Sequence, residues 1–323
     1  MNPDAVVVGG GVSGLMTAVL LAERGHRVRV WTRDDIAGTT SSVAGALWWP
    51  YRIEPKELVA AWSTATWERM VRWAGHPDRT GVRLVSGIMA GTRLEKVDAW
   101  TRWAGELRAA GPDELPSGHL EGVWARLPLV DMPVHLAWLR ERLESAGGTV
   151  EFRRVQHLDE AAAAAPLVVN CAGLGARELA GDDGLLAVRG QVVWVENPGI
   201  REWLVLPDGG PDGGPEQLTY LFPQPGRLVL GGTAQDGDEN GEPDPATARE
   251  IVARCARHHP AIADARVLGH RVGLRPARAA GVRIESEPLA GGGLLVHNYG
   301  HGGAGLTVGW GCARAAVALV PRP

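Results

Sequence analysis

The chain has 323 residues, 45% of them hydrophobic, with a formal charge of −4 and a sequence pI near 6.2. That is apolar material for a large core, and the length predicts two domains rather than one. No broad basic surface suits nucleic acid, and no apolar run reaches the roughly 18 to 20 residues that span a bilayer. The first strand opens within a few residues of the N-terminus, without the basic and apolar regions of a signal peptide, which predicts a cytoplasmic protein. Cys171, Cys255 and Cys312 are widely spaced and read as structural thiols, and no His/Cys/Asp cluster has metal-ligand spacing. The serine-hydrolase elbow Gly-x-Ser-x-Gly is absent as well.

In chain order, Val6-Val7-Val8 runs into Gly9-x-Gly11-x-x-Gly14 and then into a helix carrying Leu15, Val19 and Ala22 on its apolar face. Gly9 permits a tight turn, Gly11 lets backbone approach a pyrophosphate, and Gly14 lets the helix pack on the strand, while the helix N-terminus presents free N–H groups. This is a dinucleotide-binding entry. Gly25 ends the helix, and residues 28–31 form the next strand. A nicotinamide protein places a ribose-binding acid at the end of that strand, about 20 residues past the fingerprint. Arg33, Asp34 and Asp35 stand there, and Arg33 equally suits a 2′-phosphate, so this position does not separate NADP from FAD.

The polar turn Thr39-Thr40-Ser41-Ser42 offers hydroxyls to phosphate, and the strip at 44–51 is small and aromatic. Residues 54–130 read as a separate element of the substrate side: a helix with Leu58, Ala61, Trp62 and Ala65, a short strand near Arg83 and Leu84, and a helix over 97–109. A helix over 134–146, a strand at Thr149–Phe152 and a buried parallel strand at 167–170 rejoin the nucleotide side. Residues 190–195, 218–223 and 228–232 predict a second sheet, the last two joined by a turn at Gln224-Pro225-Gly226. A loop occupies 207–215, and His258-His259 before Pro260 reads as a helix end. A strand at 294–298, a glycine loop at 300–305 and a helix over 306–319 close the chain.

Three segments carry candidate chemistry. The run from His297 to Thr307 offers N–H and C=O groups clear of side chains, against which a flat ring can lie; helix N-terminal amides would stabilise charge on a reduced flavin. Arg275 and Arg278 sit in a stretch fixed by Pro276, and a guanidinium is the natural fork for a carboxylate. Tyr220, one of three tyrosines, lies in an apolar strand where its hydroxyl is available as a second donor.

With these residues in view the sequence resembles the D-amino-acid oxidase family of FAD flavoenzymes over most of its length. The anchors are Gly9 to Gly14, residues 44–51, Val169 to Gly173, Arg189-Gly190-Gln191, Tyr220 to Pro223 with Gly231-Gly232, Gly273 to Pro276, and above all His297 to Thr307 with Trp310-Gly311-Cys312. The resemblance implies an α/β fold: a Rossmann-like FAD-binding domain from 1–52, 132–186 and 265–323, and a second, mainly antiparallel-sheet substrate domain from 53–131 and 187–264. It implies noncovalent FAD held by Gly9, Gly11, Val12, Ser13, Gly14, Arg33, Asp34, Thr39, Thr40 and Ser41. Gly45, Ala46, Leu47, Val155, Arg275 and Gly300 complete that set, with Gly302, Gly303, Ala304, Gly305, Leu306 and Thr307 at the ring. Arg275 and Tyr220 would hold the substrate carboxylate, and the Gly303 carbonyl would receive the amine.

The implied reaction passes a hydride from the Cα–H of a D-amino acid to flavin N5 with no side-chain acid or base. The imine hydrolyses to a 2-oxo acid and ammonia, and O2 is reduced to hydrogen peroxide. Two departures stand out: Glu216 replaces a gating tyrosine ahead of Tyr220, which predicts an open site favouring cationic side chains, and Ala304 replaces a tyrosine common in relatives, which predicts wider access. A monomer or homodimer is expected. A glycine or sarcosine-type amine oxidase and a catalytically inactive flavin-binding relative are the alternatives.

Overall fold

The computed structural model describes residues 3–50, 53–97, 105–206 and 217–322. The chain opens with β1 (Ala5–Val8), α1 (Val12–Glu23), β2 (Val28–Thr32) and the single turn α2 (Thr40–Val43). Next come α3 (Lys56–Trp73), α4 (Pro77–Thr80), β3 (Val82–Ala90), β4 (Leu107–Ala109) and β5 (Gly122–Val130). The first sheet is then resumed through α5 (Met132–Ser145), β6 (Thr149–Phe152), α6 (Leu158–Ala162), β7 (Leu167–Asn170) and α7 (Ala176–Leu179). The run β8 (Leu185–Val195), β9 (Trp203–Leu206), β10 (Gln217–Gln224), β11 (Arg227–Thr233) and β12 (Gln235–Asp236) leads to α8 (Pro245–His258). The chain ends with β13 (Val267–Arg278), β14 (Arg283–Pro288), β15 (Leu294–Tyr299) and α9 (Gly305–Ala318).

Six strands form one sheet in the order β14-β15-β7-β1-β2-β6, parallel throughout except for β14 at the edge. Its central strands are apolar at nearly every position because both faces are covered. Val7, Val30 and Val296 pack with Leu15 and Val19 of α1 and Val317 of α9. On the other face Val6, Val8, Val168 and Leu295 meet Leu158 and Ala161 of α6.

The larger sheet runs β12-β8-β11-β10-β9-β3-β5-β4, with β13 paired along β8. Alternation along its strands divides two environments, as a period of two requires. Leu221, Leu228, Leu230, Val193 and Val195 pack under Ile251 and Cys255 of α8. Tyr220, Phe222, Val192 and Val205 point the other way, into a cavity between the sheets.

The mixed α/β architecture with its mainly antiparallel second sheet, in which only the described pair β3–β9 is parallel, matches the sequence reading, with differences at three places. β13 lies in the larger sheet, from Val267 paired with Val195 to Arg278 paired with Leu185, so the sheets do not divide the chain at 265. Leu107–Ala109 is a strand rather than a helix, because it pairs with Val123, Trp124 and Ala125 of β5 and its Arg108 guanidinium lies 4.4 Å over the Trp124 ring; the rest of that expected helix, 98–104, lies outside the described residues. β3 runs for nine residues where a short strand was expected.

α9 crosses α3 at close range. Gly311 lies on the backbone of Trp62, and Trp310 meets Trp73 edge-on with ring centroids 5.2 Å apart. Helix propensity alone makes Gly311→Ala stabilising by about 1 kcal/mol. A Cβ there would stand 2.7 Å from the Trp62 carbonyl carbon, and overpacking against backbone costs about 1–3 kcal/mol. Overpacking wins: Gly311→Ala is expected to lower the melting temperature by several degrees, and a rise would show that the two helices have room to part.

Candidate active site

A cavity of about 680 Å³ runs along the carboxyl ends of β1, β2, β7 and β15 and under the inner face of the larger sheet. Open parallel sheets bind ligands at this position. Its first wall is bare backbone. Gly9 has φ +117°, and a Cβ on Gly10 would stand 2.5 Å from Thr32 Oγ1. Gly11 N-caps α1 without a side-chain hydrogen bond, and the first turn of α1 holds no carboxylate. The positive end of the helix dipole therefore meets the cavity unneutralised by its own side chains, the condition for holding an anion. Ser41 Oγ accepts the Val12 N–H at 3.0 Å, and Thr40 Oγ1 donates to the Leu274 carbonyl at 3.2 Å, joining α2 to β13.

At the end of β2, Arg33 and Asp34 both line the cavity and pair with each other at 2.9 Å. Asp35 does not line it: its carboxylate caps the next turn by accepting from Ala37 N. Arg153, Arg154 and Val155 line the cavity past β6, and Arg153 lies 3.9 Å over the Trp31 ring.

The opposite wall is built by side chains lying over glycines. Arg275 reaches from β13 across β8, where a Cβ on Gly190 would stand 2.5 Å from its guanidinium carbon, and its Nη1 donates to the Thr233 carbonyl at 3.1 Å. Tyr220 reaches from β10 across β11: its ring covers Gly231 and its hydroxyl would stand 3.2 Å from a Cβ on Gly232. Both heads thus converge on the 232–233 end of β11. Among the described residues Arg275 has no carboxylate partner. Phe222 stacks on Tyr220 with centroids 4.4 Å apart, and both rings pack on Gly45.

Ala46 is the one non-glycine described residue at positive φ, +63°, a conformation costing about 1–2 kcal/mol. Its carbonyl is held by Val130 N at 3.0 Å, and Trp48 N donates to Pro128 O. Trp49 is pinned at both ends, Thr307 Oγ1 accepting from its N–H and donating to its carbonyl.

The titratable groups on the wall offer little acid or base chemistry. Burial pushes the Cys171 thiol up to about 12 and the His301 imidazole down to about 4, so both stay neutral near pH 7. Among the described residues Asp34 and Glu178 are its only carboxylates, and neither lies on the larger sheet.

Of the residues singled out from sequence, Gly9, Gly11, Val12, Ser13, Thr39, Thr40 and Ser41 meet on this cavity, as do Gly45, Ala46, Leu47, Val155, Tyr220 and Arg275. Gly302, Gly303, Gly305, Leu306 and Thr307 line it too. Three do not. Gly14 sits beneath the wall, packed on the Gly9 carbonyl; Gly300, with φ +84°, packs on Arg278. Ala304 is buried behind the turn, so its small side chain opens no space in the cavity, contrary to the wider access expected of it. Glu216 and Tyr51 lie outside the described residues. Arg278 is drawn away to Asp182 at 2.7 Å, an acceptor shared with the Tyr299 hydroxyl. Met89, Arg153 and Arg154 line the cavity as well, from strand and turn positions that carry no motif of their own.

A bare helix N-terminus at the end of a parallel sheet, facing a cavity shared with a second sheet, defines a dinucleotide-binding protein. The family described as DAO, FAD dependent oxidoreductase, matches residues 4–319. The chain is 57% identical over 267 residues to the D-amino-acid oxidase of Streptomyces coelicolor, covering 82% of this chain and 80% of that protein. It is 48% identical over 265 residues to the D-amino-acid oxidase of Rubrobacter xylanophilus, covering 82% and 79%. The crystal structure of glycine oxidase from Geobacillus kaustophilus shares the fold, with TM-score 0.82 and 22% identity over 99% of this chain and 95% of that one. The chain belongs to the DAO family of FAD-dependent oxidoreductases. No helix among the described residues is long and apolar enough to cross a membrane.

The glycine wall fits the cofactor: Gly11 has φ −75°, which any residue adopts, yet its missing side chain keeps the helix end clear. A Cβ there would stand 3.1 Å from Ser41 Oγ, which has to give way, so Gly11→Val is expected to lower apoprotein melting by no more than a few degrees, while weakening FAD binding at least about tenfold. Quenching of flavin fluorescence on titration of the apoprotein measures this; unchanged affinity would mean that the cofactor does not approach Gly11.

Proposed function

We infer that this chain catalyses FAD-dependent oxidative deamination of D-amino acids, giving a 2-oxo acid, ammonia and hydrogen peroxide. One observation carries the reading: the half-buried Arg275 guanidinium, with no carboxylate partner among the described residues, lies beside Tyr220 over a row of glycines on the cavity wall. A substrate carboxylate completes such a site, a charge-assisted pair contributing about 1.5–3 kcal/mol. The two relatives named D-amino-acid oxidase support the choice of the D-isomer.

On this reading the six-stranded sheet side holds the nucleotide through Gly9, Gly11, Val12 and Ser13, with Ser41 and Thr40 beside the phosphates and Asp34 and Arg33 near the ribose. Gly302, Gly303 and Leu306 face the ring, and the larger sheet receives the amino acid. FAD, when bound, supplies the acceptor for the hydride that leaves the substrate Cα. The chain's own part is positioning: Arg275 and Tyr220 fix the carboxylate, the Gly303 carbonyl accepts from the amine, and Leu47, Phe222 and Val205 keep an apolar surface around the reacting carbon. The scarcity of carboxylates on the wall and the neutral state of Cys171 and His301 accord with a reaction that needs no side-chain base.

Anaerobic mixing with a panel of D- and L-amino acids, followed at the flavin absorbance band, tests the reading. Bleaching by D-isomers alone is expected. Bleaching only by glycine or sarcosine would move the assignment to the amine oxidases of that type, and a bound flavin that no amine bleaches would mark an inactive relative. Arg275→Met is expected to raise KM for the D-amino acid by about 10–100-fold; an unchanged KM would remove Arg275 from the carboxylate site.

A further inference from the structure

Two separate stretches of bare backbone face the cavity, the N-terminus of α1 and the turn at 302–305, and neither belongs to the other's element. Asn298, at 0% exposure in β15, touches the first directly and the second through His301, whose carbonyl accepts from Ala304 N at 3.1 Å. Its backbone carbonyl accepts from Ser13 Oγ at 3.3 Å, its Nδ2 donates to Thr17 Oγ1 at 3.0 Å, and its Oδ1 lies 3.1 Å from His301 Nε2.

The orientation of this network is forced by counting protons. Thr17 has one hydroxyl proton and spends it on the Ser13 carbonyl at 2.7 Å, so toward Asn298 it only accepts. The Asn298 amide nitrogen must then face Thr17, which leaves its oxygen for His301. His301 Nε2 is consequently the protonated nitrogen, and the buried ring is neutral in one tautomer. A flipped Asn298 amide would leave Thr17, whose proton is already given to the Ser13 carbonyl, facing an acceptor with no proton to offer.

We propose that Asn298 and His301 are positioning residues that lock the 302–305 turn to the α1 N-terminus, so that the two cavity-facing backbones are held as one unit. This rests on the FAD reading above: α1 then meets the pyrophosphate and the turn meets the ring of the same molecule, so their spacing sets whether one ligand satisfies both. Arg275 and Tyr220 stand on the other sheet and take no part in the link. The network therefore governs cofactor binding and the rate of flavin reduction rather than recognition of the substrate carboxylate.

The test compares His301→Leu, His301→Gln and Thr17→Val, singly and as the Thr17→Val/His301→Leu pair, using apoprotein melting, FAD titration of the apoprotein and anaerobic flavin reduction. A glutamine amide nitrogen reaches where Nε2 stands, so His301→Gln is expected to keep FAD affinity within about twofold. His301→Leu and Thr17→Val should each weaken it by about tenfold, and the pair should be little worse than the weaker binder alone, because the first break already frees the turn. Reduction should slow in the same order, with KM for the D-amino acid unchanged within about twofold. Additive losses, a His301→Gln no better than His301→Leu, or lowered melting with FAD affinity unchanged would each overturn the proposal and leave Asn298 an ordinary satisfied core residue. Should His301→Leu fail to fold, Thr17→Val, which removes one hydroxyl and keeps the shape, decides alone: wild-type FAD affinity in it refutes the link. An unchanged chain that neither binds FAD nor is bleached by D-amino acids would instead overturn the flavoenzyme reading beneath it.

Discussion

Two backbone contacts hold up the rest of the site. A Cβ on Gly14 would fall on the Gly9 carbonyl, and a Cβ on Gly9 would fall on the Cys171 carbonyl. Because neither side chain exists, α1 settles onto the end of the parallel sheet with its first turn at the cavity and its apolar face, Leu15 and Val19, in the core. The larger sheet meets the same constraint in another way. There the glycines are beds for side chains: Gly190 for Arg275, Gly231 for Tyr220. Any larger residue at either position would push the head group off the sheet and out of reach of the 232–233 end of β11.

The two walls divide the chemistry. The six-stranded sheet offers backbone dipoles and hydroxyls, which suit a phosphate-bearing ligand and are insensitive to pH. Among the described residues the larger sheet offers the cavity one guanidinium, Arg275, held by the Thr233 carbonyl rather than by an acid, which leaves most of its five donors for a ligand. Burial keeps Cys171 and His301 uncharged between them. A wall with this composition binds and orients, and an enzyme of the DAO family that takes its redox chemistry from FAD asks little more of its side chains.

Much of this was readable along the chain where one element carries its whole signal. The fingerprint at Gly9 to Gly14, the helix stop at Gly25, the Pro225-Gly226 turn between β10 and β11, and the glycine run before α9 each depend on neighbours a few residues away. Legibility failed where the partner is remote. Leu107–Ala109 has no strong period of its own and becomes a strand because β5 supplies its hydrogen bonds. β13 carries Arg271, Arg275 and Arg278 among apolar residues and gives no hint in its spacing that it lies along β8 rather than in the parallel sheet. Arg275 and Arg278 look equivalent three residues apart, yet one lines the cavity while the other is taken by Asp182, 96 residues earlier.

The sequence by itself determined the class of ligand and most of the elements, because a glycine fingerprint, a helix N-terminus and alternating apolar residues express local steric and hydrogen-bonding limits. Tertiary structure alone decided which side chains share the cavity. That Gly14, Gly300 and Ala304 support the wall from behind, that Asn298 links Ser13, Thr17 and His301, and that Arg275 and Tyr220 meet over β11 follow from strand order and register. The pairings of Asn298 with Ser13 and Thr17 and of Arg275 with the end of β11 join positions 285, 281 and 42 residues apart, and no local preference encodes a distance that only the packed sheets set.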